Sequence, residues 1–298
     1  MTCRRAVGRA LALALAGCLA ACTAPPSGAD SAGSSGADEL RLTGDTIALL
    51  GEVHDNAAGH ALRLALLRGA LERGWRPAIA MEQFDTDRQA ALDAARRQFP
   101  NDARRVIDAA SPSPGGWDWA LYEPAVALAL QYRLPLLAAN LSGAATGQIV
   151  RGGYAAGFAA DRLAALGLTR PVDAEWQAAQ EREIDAGHCG MLPPRAWGPM
   201  ARAQFARDAV MAEVLRAHGS GGIVLLAGNG HVRRDLGVTR WLAPAERARA
   251  VAVGYLETAP DAAPANPPEA AFDRVVRIAP ALRDDPCEAF AGRAGPGR

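Results

Sequence analysis

Thr46-Ile47-Ala48-Leu49-Leu50-Gly51-Glu52-Val53-His54-Asp55-Asn56 passes from an apolar, partly β-branched run through a glycine into a cluster of polar side chains. Such a run closed by glycine reads as a buried strand ending in a loop. Residues 60–73 follow with Leu62, Leu66 and Leu67 on helical spacing, which completes a strand, loop and helix unit. The scheme recurs at Pro77-Ala78-Ile79-Ala80-Met81, which ends at Glu82, at residues 134–139, which end at Asn140, and at residues 222–227, which end at Gly228. Residues 249–255 and 272–278 read as later strands, separated by a surface loop over 259–268. Continuous apolar strands alternating with helices predict an α/β fold with a central, mostly parallel sheet and helices on both faces. Residues 148–219 carry leucine and alanine stripes without a strand and read as a helical insertion before the fourth strand.

In open parallel sheets ligands collect at the carboxyl ends of strands. Three such ends carry Gly51-Glu52-Val53-His54, Glu82-Gln83-Phe84-Asp85 and Gly228-Asn229-Gly230-His231, so the fold can bring Glu52, His54, Glu82 and His231 together despite their separation in the chain. Each histidine taken singly reads as structural. Together, two imidazoles beside two carboxylates at strand ends read as a metal site, a proton-transfer pair or a mutually satisfied polar core, because buried carboxylates are costly unless paired. His60 reads as a helix-start residue, and His218 as a histidine meeting a helix C-terminus.

Composition narrows the rest. The 298 residues hold 32 basic and 32 acidic side chains, and this balance gives no field to attract nucleic acid or another polyanion. Arg4, Arg5 and Arg9 precede a short apolar run, a secretory pattern too short to remain as a spanning helix. Two overlapping tetrads follow, Leu15-Ala16-Gly17-Cys18 and Leu19-Ala20-Ala21-Cys22, each with small residues before a cysteine that can accept lipid. The expected organisation is a lipoprotein signal over 1–22 with Cys18 or Cys22 lipidated, a flexible tether over 23–39, one domain over 40–290 and a disordered tail over 291–298. In an oxidising cell envelope the two remaining cysteines, Cys189 and Cys287, are candidates for a disulfide, the alternative being a free Cys189 near a site.

Two further segments gather chemistry. His188-Cys189-Gly190-Met191 puts an imidazole, a thiol and a thioether in one loop, and Trp117-Asp118-Trp119-Ala120-Leu121-Tyr122 opens a helix with three aromatics. The aromatics read equally as a hydrophobic anchor for the helix start.

With these stretches in view, the sequence resembles the ChaN family of haem-binding lipoproteins over nearly the whole domain: residues 49–56, Met81-Glu82-Gln83-Phe84-Asp85, residues 117–124, residues 188–193 and Gly228-Asn229-Gly230-His231-Val232-Arg233-Arg234-Asp235. The resemblance implies non-covalent haem held at the interface of a homodimer, and a role in haem or iron acquisition alongside transport components. It also implies a tyrosine-type iron ligand, for which Tyr122 is the candidate, with His54, His188, His231 and Trp119 as further cofactor-binding candidates. The same strand-end motifs resemble a wider superfamily that includes TraB/Tiki metalloproteases and erythromycin esterases. This implies an alternative, a hydrolase using Glu52, His54, Glu82 and His231 with a divalent metal or by acid/base chemistry.

Overall fold

The computed structural model describes residues 40–111, 116–258, 267–285 and 287–288. The expectations for the signal, for Cys18 and Cys22, for the tether at 23–39 and for the tail at 291–298 lie outside them. The six strands are β1 (Ile47–Leu50), β2 (Ala78–Asp85), β3 (Leu136–Asn140), β4 (Ile223–Leu226), β5 (Ala250–Glu257) and β6 (Arg274–Ile278). All pair in parallel, in the order β3-β2-β4-β1-β5-β6. A parallel sheet needs cover on both faces, and β1 and β4 are buried along their whole length, Ile47 through Leu50 and Ile223 through Leu226.

The cover comes from the helices. The first four are α1 (Ala57–Glu72), α2 (Gln89–Gln98), α3 (Ala103–Ala110) and α4 (Trp119–Gln131). The insertion holds α5 (Gly143–Gly152), α6 (Tyr154–Gly157), α7 (Ala160–Ala165), α8 (Ala174–Gly187) and α9 (Pro194–His218), and two short helices, α10 (Asn229–Val232) and α11 (Pro244–Ala248), flank β5's approach. Met211, Ala212 and Leu215 of α9 pack with Ile47 and Leu49 of β1 and Leu225 of β4 in one core. Ile149 and Leu166 meet Ala206 and Val210 in a second.

Order along the sheet decides where a site forms. The chain moves outward through β1, β2 and β3, then returns to place β4 between β2 and β1, and β5 lands on the far side of β1. The carboxyl ends of β1, β2 and β4 therefore open side by side, with connections diverging around them.

Packing at the end of β1 is tight enough to require glycine. A Cβ on Gly51 would lie 2.2 Å from Asn229 Oδ1 and 3.0 Å from the Val253 carbonyl oxygen. Asn229 is occupied there: its side chain accepts from Tyr255 N at 3.0 Å and donates to Tyr255 O at 2.6 Å, tying α10 to β5 as a neighbouring strand would. Gly51→Ala should thus cost about 1–3 kcal/mol through overpacking. An unchanged urea midpoint would show that this junction yields freely.

Candidate functional site

Glu52 is the hub of the strand-end face. Its side chain is 1% exposed, and Oε1 accepts from Tyr122 OH at 2.7 Å, His54 Nδ1 at 2.8 Å and Gln83 Nε2 at 3.3 Å. Oε2 pairs with the Arg63 guanidinium, which rises from α1 and is itself buried. Burial alone would raise the Glu52 pKa, but Arg63, the His54 hydrogen bond and His60 outweigh it and hold the carboxyl at about 2.

His60 belongs to the same network rather than serving only as a helix-start residue. Its Nδ1 accepts from Arg63 at 3.1 Å and its Nε2 donates to the His54 carbonyl at 3.0 Å. Burial and the adjacent guanidinium push its pKa down, which suits that neutral tautomer.

Glu82 centres a second cluster. β2 continues past it to Asp85, with an irregularity in its pairing to β3 after Met81, and the buried Glu82 accepts from Gly228 N at 2.8 Å and pairs with Arg207 of α9. His231 completes the group, its Nε2 at 3.5 Å from Glu82 and its Nδ1 donating to Asp208 at 2.6 Å. Burial opposes ionisation of Glu82, yet His231 and Arg207 lower its pKa; for Asp208 burial prevails over His231 and the pKa is raised.

The two clusters meet at His54. Its side chain is 53% exposed, and its ring stands edge-on to Trp117 with centroids 4.9 Å apart. Burial would lower its pKa, but the Glu52 hydrogen bond and the charges of Glu82 and Glu52 raise it. A Cβ on Gly228 would lie 3.0 Å from His54 Cε1 and 3.3 Å from Nε2, so that glycine seats the ring. In an NMR titration the His54 pKa should lie above 6.5, and Gly228→Ala should lower it by tilting the ring off Glu52. Identical pKa values in both proteins would mean the ring does not rest on Gly228.

The remaining sequence candidates border the two clusters. Tyr122 is buried, and desolvation and the facing carboxylate raise its pKa, so its hydroxyl serves as a donor to Glu52 and is not turned to solvent. Trp119 is buried against Phe84, and Trp117, which is half-buried, takes the position beside His54. His188 lines a cleft of about 260 Å³ that reaches the second cluster at Asp208 and His231, its Nδ1 at 2.7 Å from the Ile184 carbonyl. Cys189 and Cys287 are joined in a disulfide.

Arg63, Asp208, Arg207 and Gln83 complete the site and were not singled out from the sequence. For two of them a signal exists. Arg63 interrupts the buried stripe His60, Leu67, Ala70 of α1, and Asp208 interrupts Ala201, Phe205, Ala212, Leu215 of α9. A charge on an apolar helical stripe requires a buried partner.

Both carboxylates at the strand ends carry a guanidinium, and among the described residues no three histidine, cysteine or acidic side chains converge as a metal-ligand set. Arg63 and Arg207 occupy the electrostatic place that a divalent cation would take, so such an ion does not fit here.

The family described as haem-binding uptake, Tiki superfamily, ChaN, matches residues 40–242. Among solved structures the chain is similar to one described as cofacial heme binding to ChaN of Campylobacter jejuni, at 20% identity and a TM-score of 0.58, covering 74% of this chain and 84% of that one. At that identity the likeness shows a shared fold. An erythromycin esterase mutant in its open conformation aligns at 15% identity and a TM-score of 0.41, covering 72% of this chain and 71% of that one. No curated protein matches by sequence.

Proposed function

The chain belongs to the ChaN family of the Tiki superfamily, described as haem-binding uptake, and on that premise we propose that it binds haem non-covalently at the strand-end face, with the His54 imidazole presented to the iron. The observation that carries the reading is the state of that ring. Glu52 engages Nδ1 at 2.8 Å, which leaves the Nε2 lone pair as the free donor on a side chain that is 53% exposed. A carboxylate holding the far nitrogen fixes both the tautomer and the orientation of a ligating histidine. Trp117 offers an aromatic edge beside it. When bound, haem would supply an iron centre able to take a nitrogen donor; His54 would provide it, Glu52 and Arg63 would orient that donor, and Tyr122 would act through its hydrogen bond to Glu52. The chain has no Cys-x-x-Cys-His sequence, so exchangeable rather than covalent binding is the chemistry available.

The finer proposals are that two copies enclose haem, that Cys18 or Cys22 tethers the protein to a bacterial membrane in the cell envelope, and that it serves haem or iron acquisition. The first is supported by the cofacial binding described for the Campylobacter jejuni protein, the others by the lipobox cysteines and the family description. Among the described residues no helix is long and apolar enough to cross a membrane.

A titration of the purified protein with hemin should give a saturable Soret band, with a rise in sedimentation coefficient as haem binds. His54→Ala should weaken binding roughly a hundredfold, about 2.7 kcal/mol. An absent band, or an unchanged affinity in the variant, sinks the assignment of His54. The acid/base hydrolase reading retains one favouring observation, the Asp208-oriented His231 beside Glu82; ester turnover by the unmodified protein that His231→Ala abolishes would establish it.

A further inference from the structure

Beyond β6, residues 279–285 stay against the domain. The Asn56 side-chain amide donates to the Ala279 carbonyl at 2.8 Å and to Glu257 Oε1 at 2.6 Å, and Ala281 N donates to the same carboxylate at 2.9 Å. Arg283 then forks across two carboxylates. Its Nε and Nη2 donate to Asp55 at 2.6 and 2.8 Å, and Nη1 and Nη2 donate to Glu257 at 2.7 and 2.6 Å. Four positions on, Cys287 is bonded to Cys189, which follows α8. Residues 279–285 therefore run from the end of the sheet, past the His54 loop, toward a covalent anchor beside the helical insertion.

Asp55 is the immediate neighbour of His54. The His54 end of the loop is held from inside by Glu52 and by the His60 bond to the His54 carbonyl, with Trp117 and Gly228 against the ring, and Asp55 is held from outside by this segment. One guanidinium serves two carboxylates there, so its removal leaves Asp55 and Glu257 with like charges facing each other. That repulsion acts on the backbone next to His54.

We propose that Arg283, anchored by the Cys189–Cys287 disulfide, is a positioning residue that fixes the His54 loop at the strand-end face. The segment lies beyond the family match, which stops at residue 242. The inference concerns loop geometry, and its consequence for ligand binding rests on the haem reading above.

Hydrogen exchange followed by mass spectrometry on the full chain tests it, with wild type, Arg283→Gln, Arg283→Lys and Cys287→Ser compared under conditions where all remain folded. Asn56 N, which donates to Val53 O at 3.0 Å, is the protected amide to watch. The expected result is at least tenfold faster exchange over 53–57 in Arg283→Gln with no change in β1 and β4, a smaller increase in Arg283→Lys, and in Cys287→Ser a rise over 53–57 that exceeds the general rise in β1 and β4 caused by the lost disulfide. Unchanged exchange over 53–57, or an equal rise across the whole sheet, overturns the proposal. The same variants should release bound hemin about tenfold faster. A protein that takes up no hemin yet shows the local exchange effect would fail the haem reading alone and leave the positioning role standing.

Discussion

Replacing Arg63 with methionine should lower the unfolding free energy by about 3–5 kcal/mol at pH 7, among the largest single-residue effects in the domain. Arg63 and Glu52 have side chains 3% and 1% exposed, so the carboxylate left behind has no water to turn to. Its three remaining hydrogen bonds, from Tyr122, His54 and Gln83, do not supply a full countercharge. The sign with pH follows from the shift. In wild type the Glu52 pKa falls from 4.5 to about 2, so the pair contributes stability above pH 4.5 that is lost as pH drops through about 2, on the order of 3 kcal/mol. Without Arg63 the burial of Glu52 is opposed only by the histidines and its hydrogen bonds, so its pKa should rise from about 2 and acid should relieve the less well-paired charge. The gap between the two proteins should therefore narrow as pH falls. The double variant Arg63→Met with Glu52→Gln should recover most of the loss, since an ion pair replaced on both sides costs far less than one that is broken. Urea unfolding at several pH values checks this; a cost under about 1 kcal/mol for the single variant would remove the pair from its central place.

Opening the disulfide should have an effect of similar size. Cys189 and Cys287 close a loop across 98 residues, for which chain entropy alone predicts about 5 kcal/mol. Cys287→Ser, or wild type in excess dithiothreitol, should lower the melting temperature by roughly 10 °C for a domain of this size. Equal melting temperatures with and without reductant would mean that the tail's ion pairs alone define its place.

The strand pattern was legible because each parallel strand is apolar on both faces and stops at a glycine or a polar residue. β1, read over 46–50, spans Ile47–Leu50, and β4, read over 222–227, spans Ile223–Leu226. β2 was read too short, ending at Glu82, whereas it runs to Asp85: polar side chains there are satisfied by Arg207, Gly228 and Glu52, so polarity did not end the strand. The α/β fold and the helical insertion follow from that same alternation. Within the site, the motif-bearing residues Glu52, His54, Glu82 and His231 come together as their strand-end positions imply. Their partners do not announce themselves in the same way, because Arg63 and Asp208 lie on helices whose register against the sheet a sequence does not display. Tyr122 and Trp119 are both buried, whereas the sequence offered a cofactor-binding role and a hydrophobic anchor alike and showed nothing of their burial.

The position of β4 between β2 and β1 also governs how the chain acquires its structure. Ile47 meets Ile223 on one side and Ala250 on the other, so β1 has neither neighbour until the last third of the chain is in place. Closing such long loops comes before any reward from pairing, which makes folding slow and its contact order high. A nascent chain ending after β3 holds only the β2–β3 pair. Any truncation before β5 therefore leaves β1 without its full pairing, and the centre of the sheet locks only once the last quarter of the chain has been made.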